Sequence, residues 1–257
     1  MVVVLQKPKE LVFSGSVARR ARGRAVRRVQ EWLCLNAHAV AVDGVFGAAT
    51  ESAVREFCDA QNLLFEGNVD QTIFDALSGP VRRALDKPEE LPDRFGEVVV
   101  AVARRHLQEH PREVGGQNRG PWVRLYMNGR EGNEWPWCAG FVSFVIRQAG
   151  VELNHPLPFP KTYSCDNLAN SGRKRNLFVA GRDINPSNAS AKLPPGTVFL
   201  NRRDSSDWTH TGFVVEARGE TFTTIEGNTN DEGSREGYEV CARTRGYAKK
   251  DFVRLSR

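Results

Sequence analysis

Trp135-Pro136-Trp137-Cys138-Ala139-Gly140-Phe141-Val142 places a thiol at the start of an apolar segment that Val145 and Ile146 continue at helical spacing. The spacing predicts a helix over 138–148, with Gly150 as the residue just past its end. A helix N-terminus offers unpaired N–H groups and about half a positive charge, and both favour thiolate over thiol. Thiolate is the nucleophilic form of cysteine, so Cys138 reads as a candidate nucleophile rather than a small core residue.

A nucleophile needs a base, and His210 is the best placed of the five histidines. It opens His210-Thr211-Gly212-Phe213-Val214-Val215-Glu216, a β-branched and aromatic run expected to form a strand. Thr221-Phe222-Thr223-Thr224-Ile225-Glu226-Gly227-Asn228 reads as the next strand, and Arg218-Gly219-Glu220 as the hairpin turn between them. The pairing brings His210 near Glu226 and Asn228, which strand alternation places on one face. A carboxylate or amide there can hold the imidazole's Nδ1–H, leaving Nε2 for the thiol, which is the nucleophile–base–orienter logic of covalent catalysis. Cys165 and Cys241 have no histidine in the pattern and read as inert, and His155 as structural. Trp135, Trp137 and Trp208 flank the key segments and could line a groove or belong to the core.

Upstream, Phe95–His110 reads as a helix stopped by Pro111, and the glycine-rich 113–132 stretch as loop. Within it, Gly115-Gly116-Gln117-Asn118 is a candidate for substrate or oxyanion contacts. Nearer the N-terminus, Val26, Val29, Trp32 and Leu33 form the stripe of one helix. Thr50 is expected to cap a second helix, with Ala53, Val54 and Phe57 inward, and Asp70 a third running to Leu77. The fold class expected is therefore α+β: a small three-helix N-terminal bundle at 15–78, a Pro- and charge-rich linker at 79–94, and an α+β domain at 95–257 in which helices pack on an antiparallel sheet.

Of the 257 residues, 40% are hydrophobic, and the formal net charge of +5 favours anionic partners in general. The basic residues follow no nucleic-acid motif, so nucleic acid is not an expected partner. No apolar run approaches the roughly 20 residues of a membrane span. The cysteines (34, 58, 138, 165 and 241) include no Cys-x-x-Cys pair, so neither a disulfide framework nor a metal is expected, and no cofactor. Met1-Val2-Val3-Val4-Leu5 is too short for a signal peptide, which points to synthesis in the cytoplasm.

Two resemblances follow from the motifs. Gly23-x-x-Val26-x-x-x-Gln30-x-x-Leu33, Asp43-Gly44-x-Phe46-Gly47-x-x-Thr50-x-x-Ala53-Val54-x-x-Phe57 and Gly67-x-Val69-Asp70-x-Thr72 resemble the peptidoglycan-binding domain 1 repeat, with Cys58 where that family usually has Gln. The resemblance implies cell-wall binding, with Asp43, Gly44 and Phe46 at its core. Trp137-Cys138-Ala139-x-Phe141-Val142, Pro194-Pro195-Gly196-Thr197-Val198, His210-Thr211-Gly212-Phe213-Val214 and Ile225-Glu226-Gly227-Asn228-Thr229 resemble the CHAP (cysteine, histidine-dependent amidohydrolase/peptidase) domain, of the NlpC/P60-like, papain-like kind. That likeness implies a papain-like α+β fold and cleavage of a peptidoglycan amide, either muramoyl-L-alanine or within the peptide. It makes Cys138 the nucleophile and His210 the base. Glu226 or Asn228 would orient the ring. Apart from the likeness, placement beside these segments makes Trp137, Asn118 and Trp208 the candidates for substrate contact. Bacterial peptidoglycan is the expected partner, and the chain a monomer. It would reach the wall by holin release, like an endolysin, or through a secretion system as an antibacterial toxin. A non-catalytic wall-binding protein is the rival reading, which the intact Cys138, His210 and Glu226 disfavour.

Overall fold

Arg24–Leu35 becomes a helix because its apolar residues recur every three to four positions, and Val26, Val29, Trp32 and Leu33 are completely buried. The computed structural model describes residues 8–13, 15–230 and 237–256; Met1–Leu5, read above for a signal peptide, lies outside them. In chain order the elements are β1 (Val17–Ala18), α1 (Arg24–Leu35), α2 (Ala48–Ala60), β2 (Asn68–Val69), α3 (Gln71–Leu77), α4 (Gly79–Leu85), α5 (Phe95–Gln108), α6 (Pro121–Tyr126) and α7 (Cys138–Glu152). They continue as α8 (Cys165–Lys174), β3 (Phe178–Val179), α9 (Ala189–Lys192), β4 (Val198–Arg202), β5 (Trp208–Arg218), β6 (Thr221–Thr229), β7 (Glu239–Gly246) and β8 (Lys250–Val253). The fold class is α+β, with helices predominating at the N-terminus and an antiparallel sheet at the C-terminus.

Contacts divide the chain into two compact units. The first joins Lys7–Arg83 to Arg112–Asn133, and the second contains Ala84–Pro111 and Glu134–Arg257. In the first, Asp70 caps α3 by accepting from the Ile73 N–H at 2.9 Å. The expected cap at Thr50 does not form, because α2 starts three residues earlier than such a cap would place it, after Gly47. Thr50 instead lies buried in the first turn, where its hydroxyl accepts from Gln30 Nε2 at 3.1 Å. Gln30 also donates to Asp43 Oδ1 at 2.8 Å and accepts from the Gly44 N–H at 2.8 Å, so one buried amide fixes the whole 43–50 turn. Cys58 lies in the core, where burial pushes its thiol up and keeps it inert.

The 113–132 stretch, expected to be loop, contains α6, a single turn and a half opened by Pro121 at the helix's first positions. Trp122 and Tyr126, one turn apart, are buried, and Trp122 meets Trp32 edge-on at 6.3 Å. So short a helix leaves too few repeats for periodicity to register in sequence. Arg124 on α6 is 3% exposed and donates to Glu10 at 2.8 Å, Glu31 at 2.6 Å and Glu131 at 2.8 Å. The pairs with Glu10 and Glu31 tie the second chain segment of the unit to the first.

In the second unit, six antiparallel strands run in the order β3-β8-β4-β5-β6-β7. Helix α7 is apolar almost all round and packs on both β5 and β6, with Phe141 meeting Phe213 edge-on at 6.1 Å. The helix runs on to Glu152, past the stop expected at Gly150. Gly150 serves packing there, since a Cβ would lie 2.7 Å from the Leu157 side chain. Helix α5 lies against α7, where His106 Nε2 meets Gln148 Oε1 at 2.9 Å and Gln148 Nε2 donates to the Ala84 carbonyl. Burial holds His106 down at about 4, so it is neutral and structural at physiological pH.

Truncating Arg124 should leave Glu10 and Glu31 buried without their cation. Arg124→Met is expected to destabilise the first unit by about 3–5 kcal/mol in urea denaturation followed by tryptophan fluorescence. Arg19→Ala, which breaks the exposed pair with Glu51, should shift the same transition little.

Candidate active site

Cys138 is the first residue of α7, and the aromatic residue before it, Trp137, is fully buried. What brings this helix start against the sheet is the absence of a side chain at Gly227 on β6. A Cβ there would sit 2.7 Å from Phe141 Cβ and 2.9 Å from the Trp137 ring. A second close approach is set by Gly212 on β5, where a Cβ would collide at 2.8 Å with Glu226 Cγ. The β5–β6 register pairs Phe213 with Ile225, so continuing it sets Gly212 opposite Glu226 and makes His210 the diagonal neighbour of that carboxylate.

The carboxylate uses that diagonal. His210 Nε2 lies 2.8 Å from Glu226 Oε2. The other ring nitrogen, Nδ1, is therefore the one left for the hydrogen bond that His210 shares with the Cys138 sulfur. This reverses the ring orientation expected from sequence, in which Nε2 faced the thiol. The reason is geometric: a histidine reaching diagonally across two strands offers its distal nitrogen to the neighbouring strand. Glu226 is fully buried and saturated with donors. Thr224 Oγ1 donates to Oε1 at 2.5 Å, and Arg245 on β7 donates from Nε to Oε1 at 2.5 Å and from Nη2 to Oε2 at 2.6 Å. The Arg245 guanidinium also lies over the Phe199 ring, 5.5 Å from its centroid.

A second thiol completes the site. Cys165 is the first residue of α8, whose N-cap Ser164 accepts from the Asn167 N–H. Its sulfur lies 3.9 Å from the sulfur of Cys138.

The charges follow from these contacts. The hydrogen bond from the Cys165 S–H, opposed by burial and aided by His210, holds the Cys138 thiol well below its ordinary value. Cys165 is pushed well up, because a thiolate beside it and its own burial both disfavour a second negative charge. Burial works against an imidazolium at His210, but hydrogen bonds to Cys138 and Glu226 overcome it and raise the ring to about 9. Burial likewise works against a Glu226 carboxylate, and the bonds from Arg245 and His210 hold it down to about 2. Near neutral pH the line reads Cys138 thiolate, His210 imidazolium, Glu226 carboxylate, Arg245 guanidinium. Such a line can attack an electrophilic carbon, deliver a proton and hold its base in one orientation.

Asn228 lies beside this line without joining it in the same way. The β6–β7 ladder shifts register between Glu226 and Thr229, and Asn228 takes a φ of 56°. That irregularity takes Asn228 out of simple alternation with Glu226. Its Oδ1 is buried without a hydrogen-bond partner among the described residues. The aromatic candidates are packed. Trp137 abuts Gly227, and Trp208 is 4% exposed, donating from Nε1 to Asp251 Oδ2 at 3.0 Å. Asn118 belongs to the first unit, where its N–H donates to Glu113 and its Nδ2 to the Asn133 carbonyl. There too, Asp43 is exposed, whereas Gly44 and Phe46 are buried and act through the turn they shape. Among the described residues no cluster of His, Cys, Asp and Glu could hold a metal ion.

Sequence reading missed Arg245 and Cys165. Ser164-Cys165-Asp166 carries the same helix-start signal that singled out Cys138, so the second thiol was open to the same argument. Arg245 had only the polar alternation of β7, which says nothing of its reach to Glu226.

An activated thiolate backed by imidazolium and carboxylate defines a site suited to nucleophilic acyl transfer. Comparison with family models agrees: residues 130–228 match the CHAP domain, and residues 22–77 match the family described as Putative peptidoglycan binding domain. The chain thus carries a CHAP domain behind a peptidoglycan-binding domain, a combination that supports a peptidoglycan hydrolase. No curated protein matches the chain. No helix among the described residues is long and apolar enough to cross a membrane.

If the thiolate–imidazolium pair is the active form, kcat/KM should stay high up to about pH 9 and fall above it as His210 loses its proton. Glu226→Gln removes the charge that helps raise His210. It should cut kcat/KM by roughly 10²-fold and move the alkaline limb to lower pH, as a pH–rate profile would read. An unmoved limb would count against the carboxylate's role.

Proposed function

We propose that the protein is a cysteine-dependent peptidoglycan amidase or endopeptidase that acts in the manner of an endolysin. The observation that carries this reading is the Cys138–His210–Glu226 line, lying in a chain that also has a wall-binding domain. The Cys138 thiolate attacks the amide carbonyl carbon. The tetrahedral intermediate collapses as His210 passes the Nδ1 proton to the departing amine, leaving a thioester on Cys138. Water, deprotonated by the now neutral imidazole, then attacks the thioester, and the thiolate returns. Glu226, clamped by Arg245 and Thr224, fixes the ring and balances the imidazolium throughout.

The upstream module holds the polymer, which raises the local concentration of scissile bonds and makes weak binding sufficient. The net charge of +5 supports attraction to anionic wall polymers. Within this proposal the enzyme works on the wall after holin release or after delivery by a secretion system.

Purified full-length protein should release soluble muropeptides from isolated peptidoglycan. Cys138→Ala should still sediment with that polymer and release none; equal digestion by the variant would refute the proposal. Mass spectrometry of the products assigns the bond. A new free amine on the first alanine marks an amidase, and new termini inside the stem or cross-bridge mark an endopeptidase.

A further inference from the structure

Two cysteines open two separate helices, and the fold sets their sulfurs 3.9 Å apart in a buried contact. They are 27 residues apart in sequence, so the contact is made by tertiary packing. It is held from both sides. Ser143 Oγ donates to the Thr162 carbonyl at 2.6 Å and accepts from the Thr162 N–H at 3.1 Å, which ties the chain entering α8 to the body of α7. Helix α8 in turn packs on β5 and β8. The proposed hydrolysis uses Cys165 only as a hydrogen-bond donor to the Cys138 sulfur, and no step of it forms or breaks a bond to the second sulfur.

We propose that Cys165 is a resolving cysteine, and that a hydroperoxide converts the Cys138–Cys165 contact into a reversible disulfide that switches the site off. The Cys138 thiolate attacks one peroxide oxygen, the O–O bond breaks, and hydroxide leaves, giving a sulfenic acid on Cys138. The Cys165 sulfur then attacks that sulfenic sulfur. An S–S bond forms, the S–O bond breaks, and the thiol proton leaves with the hydroxyl as water. Two thiols lose two electrons and the peroxide gains them.

The geometry suits both steps. Two sulfurs in contact need to close by only about 2 Å to reach bonding distance, a movement within reach of side-chain rotation. The two thiols are unequal, one ionised and nucleophilic, the other kept protonated beside it. That division separates the peroxide-sensing sulfur from the resolving one. Cys138 keeps 5% exposure, and hydrogen peroxide is scarcely larger than water. Without Cys165 the sulfenic acid would stay open to further peroxide and pass to the sulfinic state, which thiols do not reverse. The switch-off rests on the hydrolase reading, whereas the disulfide itself does not.

The test treats full-length protein with hydrogen peroxide, alkylates the remaining thiols and digests without reduction. Mass spectrometry should find the Cys138 and Cys165 peptides joined, two hydrogens lighter than their sum. Activity on isolated peptidoglycan, normalised to each untreated protein, should fall and return with dithiothreitol. In Cys165→Ser it should fall and stay down, with at least about a 10-fold difference in recovered activity. Separately modified peptides, a link to Cys34, Cys58 or Cys241 instead, or equal recovery in wild type and variant would each overturn the inference. The linked peptide is read without activity or variant, so a failure of the hydrolase reading would leave this result legible.

Discussion

The row of alternating charge from Cys138 through His210 and Glu226 to Arg245, buried at Cys138 and Glu226 and partly exposed at His210 and Arg245, is the constraint on which the rest of the site depends. Each member is stabilised in its charged form by its neighbour and would be costly to bury alone. Glu226 shows the logic most clearly. Fully buried, it stays ionised because Arg245 and His210 supply more favourable interaction than burial removes. That fixed negative charge keeps the imidazole protonated, and the protonated ring in turn favours the thiolate. The reactivity of Cys138 is thus set partly by a guanidinium on another strand, with one carboxylate and one ring between them.

Packing makes the row possible by leaving atoms out. Gly227 lets the first turn of α7 lie against β6, and Gly212 gives the Glu226 side chain room above β5. A larger residue at Gly227 would push the start of α7 off the sheet, and one at Gly212 would displace Glu226, because the clashes fall on ring and backbone-proximal atoms. The shift in register after Glu226 then turns Asn228 away from the alternation that would have set it beside the carboxylate. Position along the strand and side-chain length select Glu226 over Asn228 as the partner of His210.

The N-terminal unit obeys a different economy. Its three sequence-legible helices share a core with α6, contributed by a segment that follows α5 in the chain. Arg124 satisfies three carboxylates there, and Gln30 satisfies the turn between α1 and α2. The Asp43-Gly44-x-Phe46 motif is thereby explained mostly by the turn it builds, with Phe46 inside and Asp43 at the surface.

Sequence alone determined what depends on local pattern. Apolar periodicity gave α1, α2, α5 and α7, the Asp70 cap gave the start of α3, and β-branched and aromatic runs around Arg218-Gly219-Glu220 gave the β5–β6 hairpin. The same local reading picked out Cys138 at a helix start, and His210 and Glu226 at the open end of that hairpin. Tertiary structure alone decided what depends on distance between residues far apart in the chain. It chose which ring nitrogen faces the sulfur, brought Arg245 to Glu226 from a third strand, and set Cys165 against Cys138. It also recruited α6 into the N-terminal core. None of these leaves a periodic trace, because a register shift, a diagonal reach and a helix of six residues are set by packing geometry rather than by the spacing of residue types.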